Sequence, residues 1–280
     1  MQVNKVFVHL FHRLRVLKYL QLVTEVRHVN KKYSIPVTRG IGFAHCLGYE
    51  GWLGIIMERL KTFLAPDKAF IDVGVNVGQS LLVLKSLYPR IRYVGFEPNP
   101  VCVEYARDLI QMNKIENALV YPFGLSDQTG DRHLNFYHSN ADDSSASVIA
   151  GFRNTEITGR RNIALIRGDD LKEWREIMPA VIKIDVEGFE LEVLTGLINV
   201  IGAHRPPIIC EVLPAYSIQN SFRIERQASV RKILLDNNYI IYHIEEAGDV
   251  NLVDGFSLDA NIDACNYVFM PAENDVLKAT

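Results

Sequence analysis

Apolar residues at Val3, Val6, Phe7, Leu10, Leu14 and Leu17 recur at helical spacing, with Lys5, His9, Arg13 and Lys18 on other faces. The pattern predicts one amphipathic helix over residues 3–22. Trp52, Ile55, Ile56, Leu60 and Phe63 repeat that spacing, and the second helix should end at Ala65-Pro66-Asp67, because a proline drives the residue before it out of the helical region. Residues 1–66 therefore read as an N-terminal helical extension and residues 67–280 as the main domain. From there short apolar runs alternate with amphipathic stretches: AFIDVG then QSLLVLKSLY, RYVGFEP then PVCVEYARDLIQMN, then ALVYPFG. Such alternation predicts βαβ units on a doubly wound parallel sheet. A polar, serine-rich region from His133 to about Arg161 is too long for an ordinary connection, and loops of that length tend to be functional or mobile. Alternation resumes with AVIKIDVEG, the helical ELEVLTGLINVI, PPIICEVL, a helix near Arg226 to Leu235, YIIYHIE and CNYVFMP.

A chain of 280 residues, 48% of them hydrophobic, can bury a full core and carry one active site. Its net charge of -3 supplies no basic field of the kind duplex nucleic acid demands. The charge is unevenly placed: residues 1–32 hold seven Lys or Arg against Glu25 alone, near +6, which leaves the remainder near -9. Either the apolar stripe of this segment packs on the domain, or it lies on an anionic membrane surface, where lipid-borne acceptors are found. Cys46, Cys102, Cys210 and Cys265 form no CxxC pair, so reduced thiols in a cytoplasmic protein are expected. No apolar run approaches the roughly 18 residues needed to span a bilayer, and His and Arg interrupt the first twenty residues where a signal peptide needs an unbroken apolar stretch.

The first predicted strand, Ala69 to Val73, opens into Gly74-Val75-Asn76-Val77-Gly78 and a helix from Gln79. A strand, a glycine turn and a helix make a nucleotide-binding corner, since glycine lets the backbone turn tightly and approach a ligand. The turn reads GxNxG rather than the dinucleotide GxGxxG, and Asp72 at the strand end would meet a pyrophosphate unfavourably. S-adenosylmethionine has no phosphate and carries an ammonium and a sulfonium that suit such a charge. Glu97 ends the second strand about 20 residues on, where an acid can accept both ribose hydroxyls of an adenosine. Its bland alternative is a helix-terminal acid beside a capping Asn99. Asn99 shares that turn and joins the cofactor-binding set. Gly124-Leu125-Ser126-Asp127 closes the third strand and offers a wall for adenine.

Taken in order, FIDVGVNVGQ, GFEPNP, GLSDQTG and IKIDVEGFELEVL resemble the FkbM family of S-adenosylmethionine-dependent methyltransferases, over Phe70 to about Pro214. The resemblance implies a Rossmann-type class I methyltransferase fold, an α/β sheet of seven mostly parallel strands with the last antiparallel. It also implies O-methylation, often of sugars, lipopolysaccharide components or polyketide products. Asp72, Gly74, Asn76, Gly78, Glu97 and Ser126 fall on its cofactor-binding motifs. Val75 stands where the family usually has alanine, and either narrows the methionine end of the pocket or points into the core. The N-terminal helix and residues 140–161 lie outside the strong match and are the parts expected to choose a small-molecule, saccharide or glycolipid acceptor.

The fourth strand delivers Lys183, Asp185, Glu187 and Glu190 into one turn, KIDVEGFE, beyond the carboxyl end of the sheet where reactive ligands sit. An aliphatic hydroxyl is about as weak an acid as water, with a pKa near 15.7, so methyl transfer to it calls for a base or a metal. Asp185 and Glu187 are the candidate bases, and Glu190 reads equally as a first-turn helix acid. Glu211, ending the fifth strand, could join Asp185 in holding a divalent cation through oxygen ligands. His133, His138 and His204 sit in or near loops, where a histidine is usually just solvated. Asp142, Asp143, Ser144 and Ser145 read either as an acceptor lid or as a polar loop. The sequence also admits two rival functions: a nicotinamide-dependent oxidoreductase, opposed by Asp72 and the missing GxGxxG, and a non-catalytic cofactor-binding module, opposed by the intact KIDVEGFE.

Overall fold

Asn4 caps the first helix, α1 (Lys5–Arg13), by accepting the Val6 N–H. The computed structural model describes residues 1–47, 51–138, 143–258 and 265–278, and it corrects the expectation of a helix reaching residue 22. The chain leaves the helix at Leu14, and Arg15 adopts a left-handed φ of 58°. The next residues form an antiparallel hairpin of β1 (Gln21–His28) and β2 (Lys31–Thr38). Leu22, Thr24, Val26 and His28 are buried while Gln21, Glu25 and Arg27 are exposed, a period of two that overrides the helical spacing before it. The N-terminal segment is thus mixed rather than helical. Two short helices, α2 (Ala44–Leu47) and α3 (Gly51–Arg59), complete it.

The main body runs β3 (Ala69–Val73), α4 (Gln79–Leu87), β4 (Arg92–Phe96), α5 (Pro100–Met112) and β5 (Ala118–Tyr121). Then come β6 (Gly124–Ser126), β7 (Gly130–Phe136) and β8 (Gly159–Arg167), followed by β9 (Pro179–Ile184), α6 (Glu190–Gly196), α7 (Ile198–His204) and β10 (Ile208–Glu211). The chain closes with α8 (Ser221–Asp236), β11 (Tyr239–Ile244), β12 (Val250–Leu252) and β13 (Asn266–Pro271). Among the described residues the main sheet has eight strands in the order β12-β11-β13-β10-β9-β3-β4-β5. The run from β10 to β5 is parallel, and β13 lies antiparallel between β10 and β11. This is the Rossmann-type methyltransferase sheet with its antiparallel last strand. The short edge strand β12, paired to β11, adds an eighth to the seven expected.

The third strand is shorter than its sequence suggested. Pro122, which has no N–H to give a ladder, separates β5 from β6. β6 then joins a second, three-stranded sheet in the order β6-β8-β7. That sheet also takes in HLNF, expected to be irregular, because Leu134 and Ile163 turn into the core across the β7–β8 ladder.

Alternate residues of the central strands feed two cores. Ile71, Val73, Ile182 and Ile184 pack with Val193, Leu194, Val230 and Leu234 of α6 and α8. Phe70, Val181 and Ile209 pack on the other face with Ile56, Leu60, Leu81 and Leu84. A third cluster joins Leu22, Val26, Ile35 and Val37 of the hairpin to Val77, Leu82, Tyr105 and Leu109. The hairpin is also held by polar contacts. Asn113 exchanges two 2.8 Å hydrogen bonds with the Ser34 backbone, and Tyr105 Oη donates to Pro36 O at 2.8 Å.

Because the Ser34 N–H and C=O share this single amide, Asn113→Ala should lower stability in urea unfolding by about 1–3 kcal/mol, the range for leaving such groups unsatisfied. An unchanged midpoint would mean that the apolar cluster alone seats the hairpin.

Candidate functional site

β3 is flanked by β4, the next strand in sequence, and by β9, so the direction of chain progression reverses between β3 and β9. In open α/β sheets this switch point, at the carboxyl ends of the strands, is where ligands bind. A cavity of about 300 Å³ lies there. It is lined by Gly74, Asn76, Glu97, Asn99, Asp185, Glu187 and Glu211 from the expected set, and by Lys183 and Asp143 besides. Among its described lining residues five are carboxylates and one is a lysine.

The glycine turn is shaped by contacts that exclude other side chains. Gly74 has a φ of 91°, and a Cβ there would stand 1.8 Å from Asp185 O. The backbone at Asn76, also left-handed with a φ of 47°, donates its N–H to Glu97 Oε2 at 2.8 Å. Glu97 Oε1 accepts from Asn99 N at 2.7 Å. The carboxylate thus ties the first turn to the second while lining the cavity. Burial pushes its pKa up to about 7 against the pull of these two N–H groups. Asn99 caps α5 by accepting the Val101 N–H and also accepts from Arg161 at 2.8 Å. Val75 points into the core, where Gly95 leaves room for it: a Cβ on Gly95 would sit 2.4 Å from Val75 Cγ2.

Three expected site residues do not line the cavity. Asp72 is fully buried beneath it, so the reading of a carboxylate facing the ligand is corrected. Its Oδ2 accepts from Tyr93 Oη at 2.6 Å, and its Oδ1 lies 3.9 Å from Lys183 Nζ. Burial raises its pKa to about 6, with Lys183 and Tyr93 opposing. Gly78 instead starts α4 in the left-handed conformation, with Leu109 against its open side. Ser126 sits on β6 with its hydroxyl donating to Asp127 at 3.0 Å, while Gly124 and Leu125 form the wall assigned to it. Ser126, next along the same short strand, is buried and absent from the lining.

The acid turn is strongly held. Asp185 N donates to Val73 O at 2.9 Å, continuing the β3–β9 ladder, and Asp185 Oδ2 accepts from Lys183 Nζ at 2.8 Å. Glu187 has a left-handed φ of 55° and forms an ion pair with Arg153. Burial and the Asp185 charge push Glu187 up to about 8, against Arg153. Burial, then Asp185 and Glu187, raise Glu211 well above the carboxylate range, and Cys265 Sγ stands 3.3 Å from its Oε1. Asp185, Glu187 and Glu211 can each present one oxygen within 4.8 Å of the others. Glu190 takes the local role: its Oε1 accepts the Gly188 N–H at 2.8 Å.

The loop after β7 is anchored to this turn. Asp143 accepts from the N–H groups of Tyr137, His138 and Ser145, and Ser147 Oγ donates to Glu187 O at 2.7 Å. Asp142 lies outside the described residues. Sequence reasoning left Lys183 without a role and missed Arg153 and Tyr93. Arg153 is 34 positions from Glu187, and no local pattern announces that pair. The glycine turn has a support from outside the main sheet as well. His45 Nε2 lies 2.8 Å from Val77 O, and since a carbonyl only accepts, that nitrogen carries the proton. Burial holds the ring neutral, with its pKa near 4.

The chain is 32% identical over 155 residues to the hexuronic acid methyltransferase AglP of Haloferax volcanii, covering 54% of this chain and 57% of that protein. It is 26% identical to methyltransferase sdnD of Sordaria araneosa, covering 47% of this chain and 61% of that one. The chain therefore spans less than two thirds of the length of these curated relatives. A crystal structure of a methyltransferase FkbM from Methylobacillus flagellatus superposes with a TM-score of 0.46 at 16% identity, over 73% of this chain and 44% of that one. The model of the methyltransferase FkbM domain matches residues 72–241, more than half the sequence and the whole stretch from Asp72 through the acid turn to β11. The chain belongs to the methyltransferase FkbM domain family.

Proposed function

We propose that this chain is an S-adenosylmethionine-dependent O-methyltransferase acting on a hydroxyl of a saccharide, glycolipid or natural-product acceptor. The observation that carries the reading is Glu97, whose carboxylate lines the cavity between two glycine-turn and helix-entry N–H groups. Each of its oxygens keeps a second lone pair for a ribose hydroxyl. A lining of five carboxyl groups and a single lysine already paired with Asp185 offers no basic cradle for a pyrophosphate, and so fits a phosphate-free cofactor better than a dinucleotide. When bound, that cofactor supplies an electrophilic methyl group on a sulfonium. The likeness to a hexuronic acid methyltransferase supports a saccharide acceptor.

On this reading the chain positions and deprotonates. Lys183, charged between Asp72 and Asp185, fixes the Asp185 carboxylate at the mouth of the turn. Asp185, and Glu187 in the ionised form that it gains as pH rises through about 8, are the groups that take the acceptor proton, and Arg153 and Ser147 hold Glu187 in place. A second reading rests on the three converging oxygens: Asp185, Glu187 and Glu211 would hold a divalent cation, which would acidify a hydroxyl bound to it.

Calorimetry should show binding of S-adenosylmethionine or its demethylated product, and none of NAD at comparable concentration. The opposite result would remove the proposal. Glu97→Ala should weaken the cofactor by about 1.5–3 kcal/mol, the range for hydrogen bonds to a charged group. Glu97 titrates near pH 7 in the folded chain, and its ionised form is the better acceptor. Cofactor affinity should therefore rise as pH increases through 7, and Glu97→Gln should flatten that profile.

Asp185→Asn and Glu187→Gln should fold normally, and at least one should lose about 10²- to 10⁴-fold in turnover while keeping most of its cofactor affinity. Turnover is measured on an acceptor found by transfer of labelled methyl to cell extract. If chelation abolishes activity and magnesium or manganese restores it, the cation reading replaces the base. If both amides retain full turnover without metal dependence, neither reading of the turn stands.

A further inference from the structure

The helix α1 turns its apolar stripe away from the protein. Val8 is its buried residue, and Phe11 only partly covers the third hydrophobic cluster. Val6, Leu10 and Leu14, spaced by four and so aligned on one face, are 71%, 46% and 60% exposed, and Phe7 beside them is 53% exposed. Tyr19, just beyond, is exposed as well. A contiguous apolar stripe in water marks an interaction surface, since single scattered residues would not line up along one helix. Of the two openings the sequence left, packing on the domain accounts for Val8 and Leu17 but not for this face.

We propose that α1 and the turn after it dock this chain on anionic phospholipid bilayers. Charge complementarity selects the occupant. Arg13, Arg15 and Lys18 are exposed around the stripe, and Arg27, Lys31 and Lys32 are exposed on the adjoining hairpin. Glu25, the one acid of residues 1–32, pairs with Lys32 at 3.6 Å. An apolar helix face rimmed by basic residues is the chemistry of interfacial helices on anionic leaflets. A second copy meeting the same face would set two basic segments against each other. Among the described residues no helix is long and apolar enough to cross a membrane, so the contact lies in the interface plane. The surface is also built into the fold: Val3 N donates to Val23 O and Val23 N to Met1 O, each at 2.9 Å, and His9 Nε2 lies 2.9 Å from Cys46 O. Docking would therefore hold the hairpin, and through it the glycine turn, in one orientation to the bilayer.

The test is cosedimentation of the full chain with phosphatidylcholine vesicles and with otherwise identical vesicles containing phosphatidylserine. Binding should require the anionic lipid and weaken with salt. Changing Arg13, Arg15 or Lys18 to Gln should weaken it roughly fivefold each, the factor for about 1 kcal/mol per basic residue at the surface. The combined Phe7→Ser, Leu10→Ser and Leu14→Ser chain should lose binding while keeping its urea midpoint. If that chain does not fold, Val6→Ser, at the most exposed apolar position of the helix, supplies the same comparison. Absence of pelleting with anionic vesicles, or serine variants that bind like the unaltered chain, overturns the proposal. So does a dimer in sedimentation velocity that the serine changes dissolve, with no vesicle binding, because the face would then be covered by a second copy. None of these outcomes depends on the reaction the chain catalyses.

Discussion

A single lysine charge held between two aspartates organises the centre of this protein. Asp72 is buried at the middle of a parallel sheet, where an isolated carboxylate would be very costly, and Lys183 on the neighbouring strand is the cation placed to offset it. The same ammonium binds Asp185, so the ionisation of the buried aspartate and the position of the half-buried one are coupled. Tyr93 from the other flanking strand completes the set. Side chains from β3, β4 and β9 therefore meet under the cavity floor, and the close approach of Gly74 to Asp185 O brings the two ligand-facing turns within reach of one another.

The parts of this arrangement legible in sequence are those set by local order. A strand, a glycine turn and a helix are contiguous, so Gly74, Asn76 and Glu97 could be placed from their neighbours, and AVIKI announced a buried strand whose next residues must emerge at its carboxyl end. What was hidden depends on register. Asp72 and Asn76 look alike as polar residues near a glycine, but only the β3–β9 pairing, which sets Asp72 opposite Lys183, reveals that one is a buried ion and the other a wall. The pairing of Arg153 with Glu187 was hidden for a related reason, since a long-range contact leaves no periodic trace.

The N-terminal segment failed differently. Val3 through Leu17 carries a helical period, but LVTEV alternates from Leu22 on, and a helix drawn to Leu22 runs past the turn at Arg15 into the first strand. The glycine Gly42 records what the alternation is for: a Cβ there would stand 2.1 Å from Tyr105 Oη, so α5 comes within contact of the chain just after the hairpin. Propensity alone could not have named that partner.

The hairpin's seat has a consequence for how the chain is made. Ser34 and Asn113 lie 79 positions apart, so the strands leave the ribosome long before the helix that receives them. At about 5–20 residues per second, roughly 4–16 s pass before Asn113 follows Ser34 out. During that interval Leu22, Val26, Ile35 and Val37 have α1 but not α5 to pack against, on a two-stranded ribbon that is marginal by itself in water. The glycine turn, emerging between them, shares that cluster through Val77, so the hairpin's final seat waits on a helix made after the turn it supports.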